Sequence, residues 1–320
     1  MDTPLISVII PCYNYAHHLT ATIESVRAQT LQDWECIIID DGSTDGTPKV
    51  AERYVSIDRR FRYYYQQNRG LPAARNEGLA KAKGTFVQFL DADDIISSEK
   101  LSLQSAFMIS RPEVQISYTD AFYFLNDRPK KRYRSFYFDD NGMPQVNMDQ
   151  WIPRIDGRGA DVLNRLVRGN IAPVHCMLTR KELIDKIGGF DESLKYLEDW
   201  DFWFRCAMER GVFSYFGEND ALAFVRVHPD SMSNSAFNML LQHFRLLKRW
   251  EYEIGVRAIT GVNFNAPEFM LTYHYNLRKL FRMSGFSNIR KLKQIARVFG
   301  WSEFLKLYFS YLNRYRKGKL

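Results

Sequence analysis

The chain has 320 residues, 46% of them hydrophobic and 25% charged, which is the composition of a soluble globular protein and leaves room for one large α/β domain with an appendage. Its formal net charge of +7 is unevenly spread: residues 236–320 hold 16 Lys and Arg against 4 Asp and Glu, and residues 1–235 hold 28 against 33. No window approaches the roughly 18 apolar residues of a membrane span. Met1-Asp2-Thr3-Pro4 is not basic and the apolar run behind it stops at Pro11, so no secretory leader is expected. The cysteines at 12, 36, 176 and 206 show no metal or redox spacing and are expected to be free thiols in a reducing cytoplasm.

Residues 5–10 read as a strand, and Leu19, Ile23 and Val26 behind Pro11-Cys12-Tyr13-Asn14 repeat at helical spacing. A second strand over 34–39 runs into Asp40-Asp41-Gly42-Ser43-Thr44-Asp45, after which Thr47-Pro48 offers a helix N-cap with proline at the first position. A third strand is expected at 61–66 and an alanine-rich helix at 71–82, stopped by Gly84. The apolar run 85–90 then reads as a strand buried on both faces, ending in Asp91-Ala92-Asp93-Asp94. Strands alternating with helices at this spacing predict right-handed crossovers and a Rossmann-like, mostly parallel sheet, with both acidic clusters leaving one edge.

Residues 98–110 read as a helix and 114–119 as a strand, whereas 126–159 lose periodicity and read as a long loop. Its Arg128-Pro129-Lys130-Lys131-Arg132-Tyr133-Arg134 is either a solvated face or a seat for an anionic partner. Thr179 and Glu182 suggest a capping box for a short helix closed by Gly188-Gly189. An amphipathic helix starts near Glu198-Asp199-Trp200-Asp201, and a strand over 221–227 leads into His228. Beyond 236 the pattern is helical throughout, so residues 1–235 are expected as one domain and 236–320 as a basic, aromatic-rich helical extension.

Three carboxylates in four positions repel, and each raises its neighbour's pKa unless a cation is present. A divalent metal relieves them; an acidic turn that caps a helix is the alternative. The chain has no glycine-rich dinucleotide fingerprint and no P-loop, so any phosphate it handles is held another way. Carboxylates gripping a metal, which in turn holds a diphosphate, would serve.

Ser7-Val8-Ile9-Ile10-Pro11-Cys12-Tyr13-Asn14, Ile38-Ile39-Asp40-Asp41-Gly42-Ser43-Thr44-Asp45-Gly46-Thr47, Gly70-Leu71-Pro72-Ala73-Ala74-Arg75-Asn76-Glu77-Gly78-Leu79, Phe89-Leu90-Asp91-Ala92-Asp93-Asp94, and Gly188-Gly189-Phe190-Asp191-Glu192 before Glu198-Asp199-Trp200-Asp201 stand in order along residues 5–235. Together they resemble the signatures of family 2 glycosyltransferases with the GT-A fold. The resemblance implies a donor half at about 1–120 and an acceptor half at about 121–235. It implies Pro11 and Tyr13 at the base pocket, Asp41 on the nucleoside with Asp40 beside it, and Arg75 facing base or diphosphate. Asp91 and Asp93 match the DXD motif, with Asp93 the direct metal ligand and Asp94 a possible contributor; His228 stands where related enzymes place a metal or diphosphate contact. Asp199 matches the catalytic base, and Glu198 and Trp200 flank it on the acceptor side. The implied reaction is inverting transfer from a nucleotide sugar, a UDP-sugar above others, to a glycan or lipid-linked acceptor in surface polysaccharide biosynthesis, with Mn2+ or Mg2+.

Residue by residue, Asp40 and Asp41 also fit a turn-forming pair, Arg75 a partner for Glu77 or a strand-end aspartate, and His228 a structural histidine. A metal-dependent phosphatase or nucleotidyltransferase, or a non-catalytic sugar-nucleotide-binding or scaffold protein on the same fold, are the alternatives in function. In the tail, residues 286–320 carry nine Lys or Arg, one acid and eight aromatics. Phe304, Tyr308, Leu312 and Tyr315 there form a stripe flanked by Lys306, Arg314, Arg316, Lys317 and Lys319. That pattern suits peripheral contact with the inner face of an anionic membrane, and packing on the catalytic domain is the alternative. No nucleic-acid partner is expected.

Overall fold

The computed structural model of the chain describes residues 3–126, 128–138, 144–228, 235–285 and 288–316. Strands β1 (Ile6–Cys12), β2 (Trp34–Asp40), β3 (Phe61–Tyr65) and β4 (Phe86–Phe89) alternate with helices α1 (Ala16–Arg27), α2 (Thr47–Ile57) and α3 (Leu71–Lys81). Every residue of β1, β2 and β4 is buried, which is why these strands read as unbroken apolar runs and not as alternating ones. They pair in parallel, β1 lying between β2 and β4 with β3 outside β2. Gly84 makes the β1–β4 pairing possible, because a Cβ there would press on the backbone of Ile6 and Ser7. The carboxyl ends of β1, β2 and β4 therefore open on one edge, the place where open α/β sheets hold ligands.

The chain continues through β5 (Ile95–Ile96), α4 (Lys100–Ser110), β6 (Ile116–Tyr118), β7 (Ala121–Leu125), β8 (Arg128–Tyr133), β9 (Ser135–Phe138), β10 (Pro144–Asn147), β11 (Asp156–Gly157) and α5 (Ala160–Leu166). It then forms β12 (Met177–Arg180), α6 (Lys181–Ile187), α7 (Glu198–Met208), β13 (Phe213–Tyr215) and β14 (Ala223–Val227). The main sheet has the order β11-β13-β6-β12-β4-β1-β2-β3, and a four-stranded sheet has the order β5-β14-β7-β8. β12 runs antiparallel to both β4 and β6, so the sheet is mixed beyond its parallel first half.

Three local expectations are corrected. Much of 126–159 is not loop: β8 pairs with β7 and β9 with β10, β8 and β10 being polar strands ordered by their partners and β9 an aromatic one at Phe136, Tyr137 and Phe138. Thr179 belongs to β12 and caps nothing, since the helix start at Arg180 has no side-chain cap. Gly46, not Thr47, occupies the N-cap of α2, and Thr47 donates instead to Asp45 at 2.6 Å.

Two compact units divide the chain, Met1–Leu166 with Asn170–Ser231, and Val167–Gly169 with Met232–Leu320. The second holds α8 (Ala236–Val256), α9 (Pro267–Ser284), α10 (Ile289–Phe299) and α11 (Trp301–Arg316). Its interior is Leu241, Phe244 and Leu247 of α8 with Leu277, Leu280 and Phe281 of α9, closed by Phe299, Phe304 and Tyr311. The aromatic stripe expected on the outside of the tail is thus only partly there: Phe304 is buried against Phe281 and Tyr308 and Leu312 are half-buried, while the side chains of Arg314, Tyr315 and Arg316, and all of Lys317 and Lys319, lie outside the described residues. Among the described residues no helix is long and apolar enough to cross a membrane.

Candidate active site

At the end of β2, Asp40 and Asp41 are buried and committed to the protein. Asp40 accepts hydrogen bonds from the Ser43 N–H at 2.7 Å and the Tyr63 hydroxyl at 2.8 Å. Asp41 accepts from Gln66 at 2.7 Å and from the Arg69 and Gly70 N–H groups at 2.8 Å each. It thereby fixes the turn that opens α3, where Gly70 takes φ +93, a value open to glycine. Pro11 is buried in β1, whereas Tyr13 is 46% exposed on the rim. The adjacent turn is stitched to the 43–45 loop: Asn14, at φ 57, donates from its N–H to Ser43 and accepts from the Thr44 N–H.

Arg75 is where the two halves of the site meet. Carried by α3 and 1% exposed, it sends one arm to Asp91 Oδ1 at 2.8 Å and the other to Glu198 Oε1 at 2.6 Å, with its guanidinium 5.2 Å from the Phe190 ring centre. Burial alone would make the guanidinium less basic, but Asp91 and then Glu198 outweigh it and hold the proton more firmly. Asp91 is the strand-end aspartate expected as one partner of Arg75, and Glu198 takes the place expected for Glu77. One cation so ties the carboxyl end of β4 to the first turn of α7.

Beyond Asp91 the acids diverge. Asp93 Oδ2 lies 3.0 Å from His228 Nε2, at the end of β14. Asp94 is buried and accepts the Arg226 N–H at 2.7 Å, while Arg226 Nε donates to the Asp93 carbonyl at 2.8 Å. Asp94 Oδ2 also lies 3.3 Å from His175 Nδ1, a close approach that is not aligned as a hydrogen bond. Burial, followed by the Asp93 and Asp91 charges, raises the Asp94 carboxyl well above the usual carboxylate range. Burial also pushes the His175 imidazole down to about 4. Donor atoms of Asp91, Asp94 and His175 lie within 4.8 Å of one another. Sequence reasoning gave His175 no role, and a lone histidine ahead of a strand carries no signal by which to find it.

Asp199 is the second residue of α7 and half-buried. Its Oδ2 accepts from Asn170 Nδ2 at 3.0 Å and its Oδ1 from the Trp200 N–H at 2.7 Å. Burial and then the Glu198 charge push the carboxyl up to about 7, against Arg75, the Trp200 N–H and Asn170. Leu197, the N-cap of α7, has φ 60, a costly conformation for a residue other than glycine, and it aims the helix start. Trp200 is buried, its indole N–H donating to the Leu166 carbonyl at 2.9 Å, so it braces α7 from below. Glu198 is likewise buried beneath Arg75. Asn170 and Arg226, like His175, were not anticipated, because their partners lie far away in the sequence.

Residues 7–188 match the pattern of Glycosyl transferase family 2. The chain belongs to that family. An uncharacterized glycosyltransferase of Haemophilus influenzae is 31% identical over 257 residues, covering 80% of this chain and 92% of that one. A Bacillus subtilis glycosyltransferase named for teichuronic acid biosynthesis, TuaG, is 44% identical over 109 residues, covering 34% of this chain and 43% of that one. Among solved structures, S. aureus TarS 1–349 in complex with UDP superposes with a TM-score of 0.65 at 19% identity, over 98% of this chain and 91% of that one. The fold is accordingly GT-A, and membership of a glycosyltransferase family sets aside the phosphatase, nucleotidyltransferase and scaffold readings.

Proposed function

We propose that this family 2 glycosyltransferase moves a sugar from a nucleoside diphosphate sugar, with UDP as the nucleotide, to a hydroxyl of a glycan or lipid-linked acceptor, inverting the anomeric centre. The observation that carries the reading is the two-armed Arg75, which holds Asp91 at the β4 end and Glu198 at the α7 start around one guanidinium. UDP bound to TarS, a protein of like fold, supports the choice of nucleotide. The teichuronic acid relative supports a surface polysaccharide as the destination.

The residues at the strand ends fit a divalent cation. Burial and then the Asp93 and Asp91 charges raise the Asp94 carboxyl, and neither His175 ring nitrogen has a hydrogen-bond partner. Carboxylate oxygens with an imidazole nitrogen are a donor set for Mn2+ or Mg2+. Asp93, Asp94 and His228 would hold the ion, Asp93 and His228 lying 3.0 Å apart, and Asp91 and His175 would offer further donors, since theirs and that of Asp94 lie within 4.8 Å of one another. When bound, it neutralises charge gathering on the departing diphosphate.

The remaining work falls to the chain itself. Residues 1–120 seat the donor, with Pro11 and Tyr13 against the base, Asp41 and Asp40 fixing the loops around the nucleoside, and Arg75 holding Asp91 in place. Residues 121–235 shape the acceptor side. Asp199, oriented by Asn170, takes the proton of the acceptor hydroxyl as its oxygen bonds to the anomeric carbon and the bond to diphosphate breaks. Glu198 and Trp200 keep α7 where that carboxylate is needed.

The test is release of nucleoside diphosphate from a panel of nucleotide sugars, in Mn2+ and in chelator. Release of UDP from a UDP-sugar in Mn2+ alone is expected. Equal release in chelator, or none from any donor, contradicts the proposal.

A further inference from the structure

The C-terminal helices leave uncovered a face that the reaction does not use. On α11 the apolar arc is wider than the arc that packs: Phe304 and Tyr311 turn inward, while Trp301, Leu305 and Phe309, at i, i+4 and i+8, are 58%, 45% and 56% exposed. Lys306 borders this stripe and is exposed. The one acid of α11, Glu303, lies off the stripe and is drawn to Lys248 of α8 at 2.9 Å. On α10, joined to α11 through Gly300, the exposed arc is Ile289, Arg290, Lys293 and Arg297, with no acid in the helix.

We propose that α10 and α11 form a docking face for an anionic lipid surface, with Trp301, Leu305 and Phe309 entering the headgroup region and Arg290, Lys293, Arg297 and Lys306 meeting lipid phosphates. Charge selects this occupant. Lys306 stands next to Leu305 of the apolar stripe, the exposed arc of α10 carries three cations, and neither helix has a free acid among its described residues, which complements an anionic bilayer and opposes a second copy of this basic unit. A modest apolar surface and a modest cationic one are together the two signals that stable surface binding requires. The face is not the stripe that sequence periodicity suggests, and it stands whether or not the proposed donor chemistry holds.

Co-sedimentation with phosphatidylcholine vesicles, with and without phosphatidylglycerol, tests it. The full chain is expected to bind only the anionic vesicles, and less as salt rises. The triple change Trp301→Ser, Leu305→Ser, Phe309→Ser should lower that binding by about tenfold or more. The pair Lys293→Glu, Arg297→Glu should lower it comparably, while melting temperature and nucleoside diphosphate release stay as in the wild type. Binding that is equal on neutral vesicles, or unchanged in both variants, overturns the proposal. So does light scattering that shows a dimer dissolved by the triple change, because a second copy would then cover the stripe.

Discussion

Asp199 sits where its surroundings leave its proton undecided near neutral pH. Burial and Glu198 push the carboxyl up to about 7, and Arg75 and Asn170 hold it from going further. A base poised there is matched to a proton it must take at working pH. Transfer is therefore expected to rise as pH passes through about 7, and the Asp199→Asn enzyme to lose that limb. The same substitution should cut turnover by ~10²–10⁴ through lost base catalysis, with UDP affinity unchanged. Linkage gives the opposite sign for stability. A carboxyl whose folded pKa is raised contributes most below its ordinary value and loses that contribution as pH climbs through about 7. Thermal melts of wild type and Asp199→Asn should consequently converge at low pH and separate above neutrality, the asparagine protein melting higher. A melting difference that does not depend on pH would show that Asp199 is not destabilised by burial.

Helix α3 and strand β4 matter through single residues that let them meet their neighbours. Arg75→Met strands two buried or half-buried carboxylates, a loss expected to cost about 3–5 kcal/mol in urea unfolding. Arg75→Lys should recover little of it, since an ammonium cannot fork to Asp91 and Glu198 together. Gly84→Ala should cost roughly 1–3 kcal/mol, because the added methyl meets backbone and not a side chain that can swing away. These elements differ in how far the sequence exposes them. The ends of β1, β2 and β4 were legible, since strands buried on both faces are apolar runs and the aspartates punctuate them. The Arg75 contacts were only half legible: a strand-end aspartate was one of its expected partners, but Glu198 lies 123 positions away. Strands β8 and β10 were missed because their polar and basic side chains disguise them and pairing orders them, whereas β9, with Phe136, Tyr137 and Phe138, carried a strand signal too short to stand out beside them. Thr179 misled for a related reason, as a cap motif was overridden by a place in β12.

Across the whole molecule, charge and chemistry separate. The unit built on the mixed sheet carries the acids, and the helical unit carries most of the excess cations. Helical periodicity identified α11; of the stripe it picked out, Phe304 packs inward, in line with the packing alternative though against α9 of its own unit, while Trp301, Leu305 and Phe309 stay exposed because apolar residues cover more of that helix than its packing uses. What joins the account together is donor binding at the β4 end, ahead of any acceptor. Calorimetric titration of UDP into the wild-type chain, in Mn2+ and then in chelator, measures it directly, with Asp93→Ala as the companion protein. Binding in Mn2+ that disappears in chelator and in Asp93→Ala, but persists in Asp199→Asn, is the predicted result. UDP binding of the same strength in chelator would contradict it.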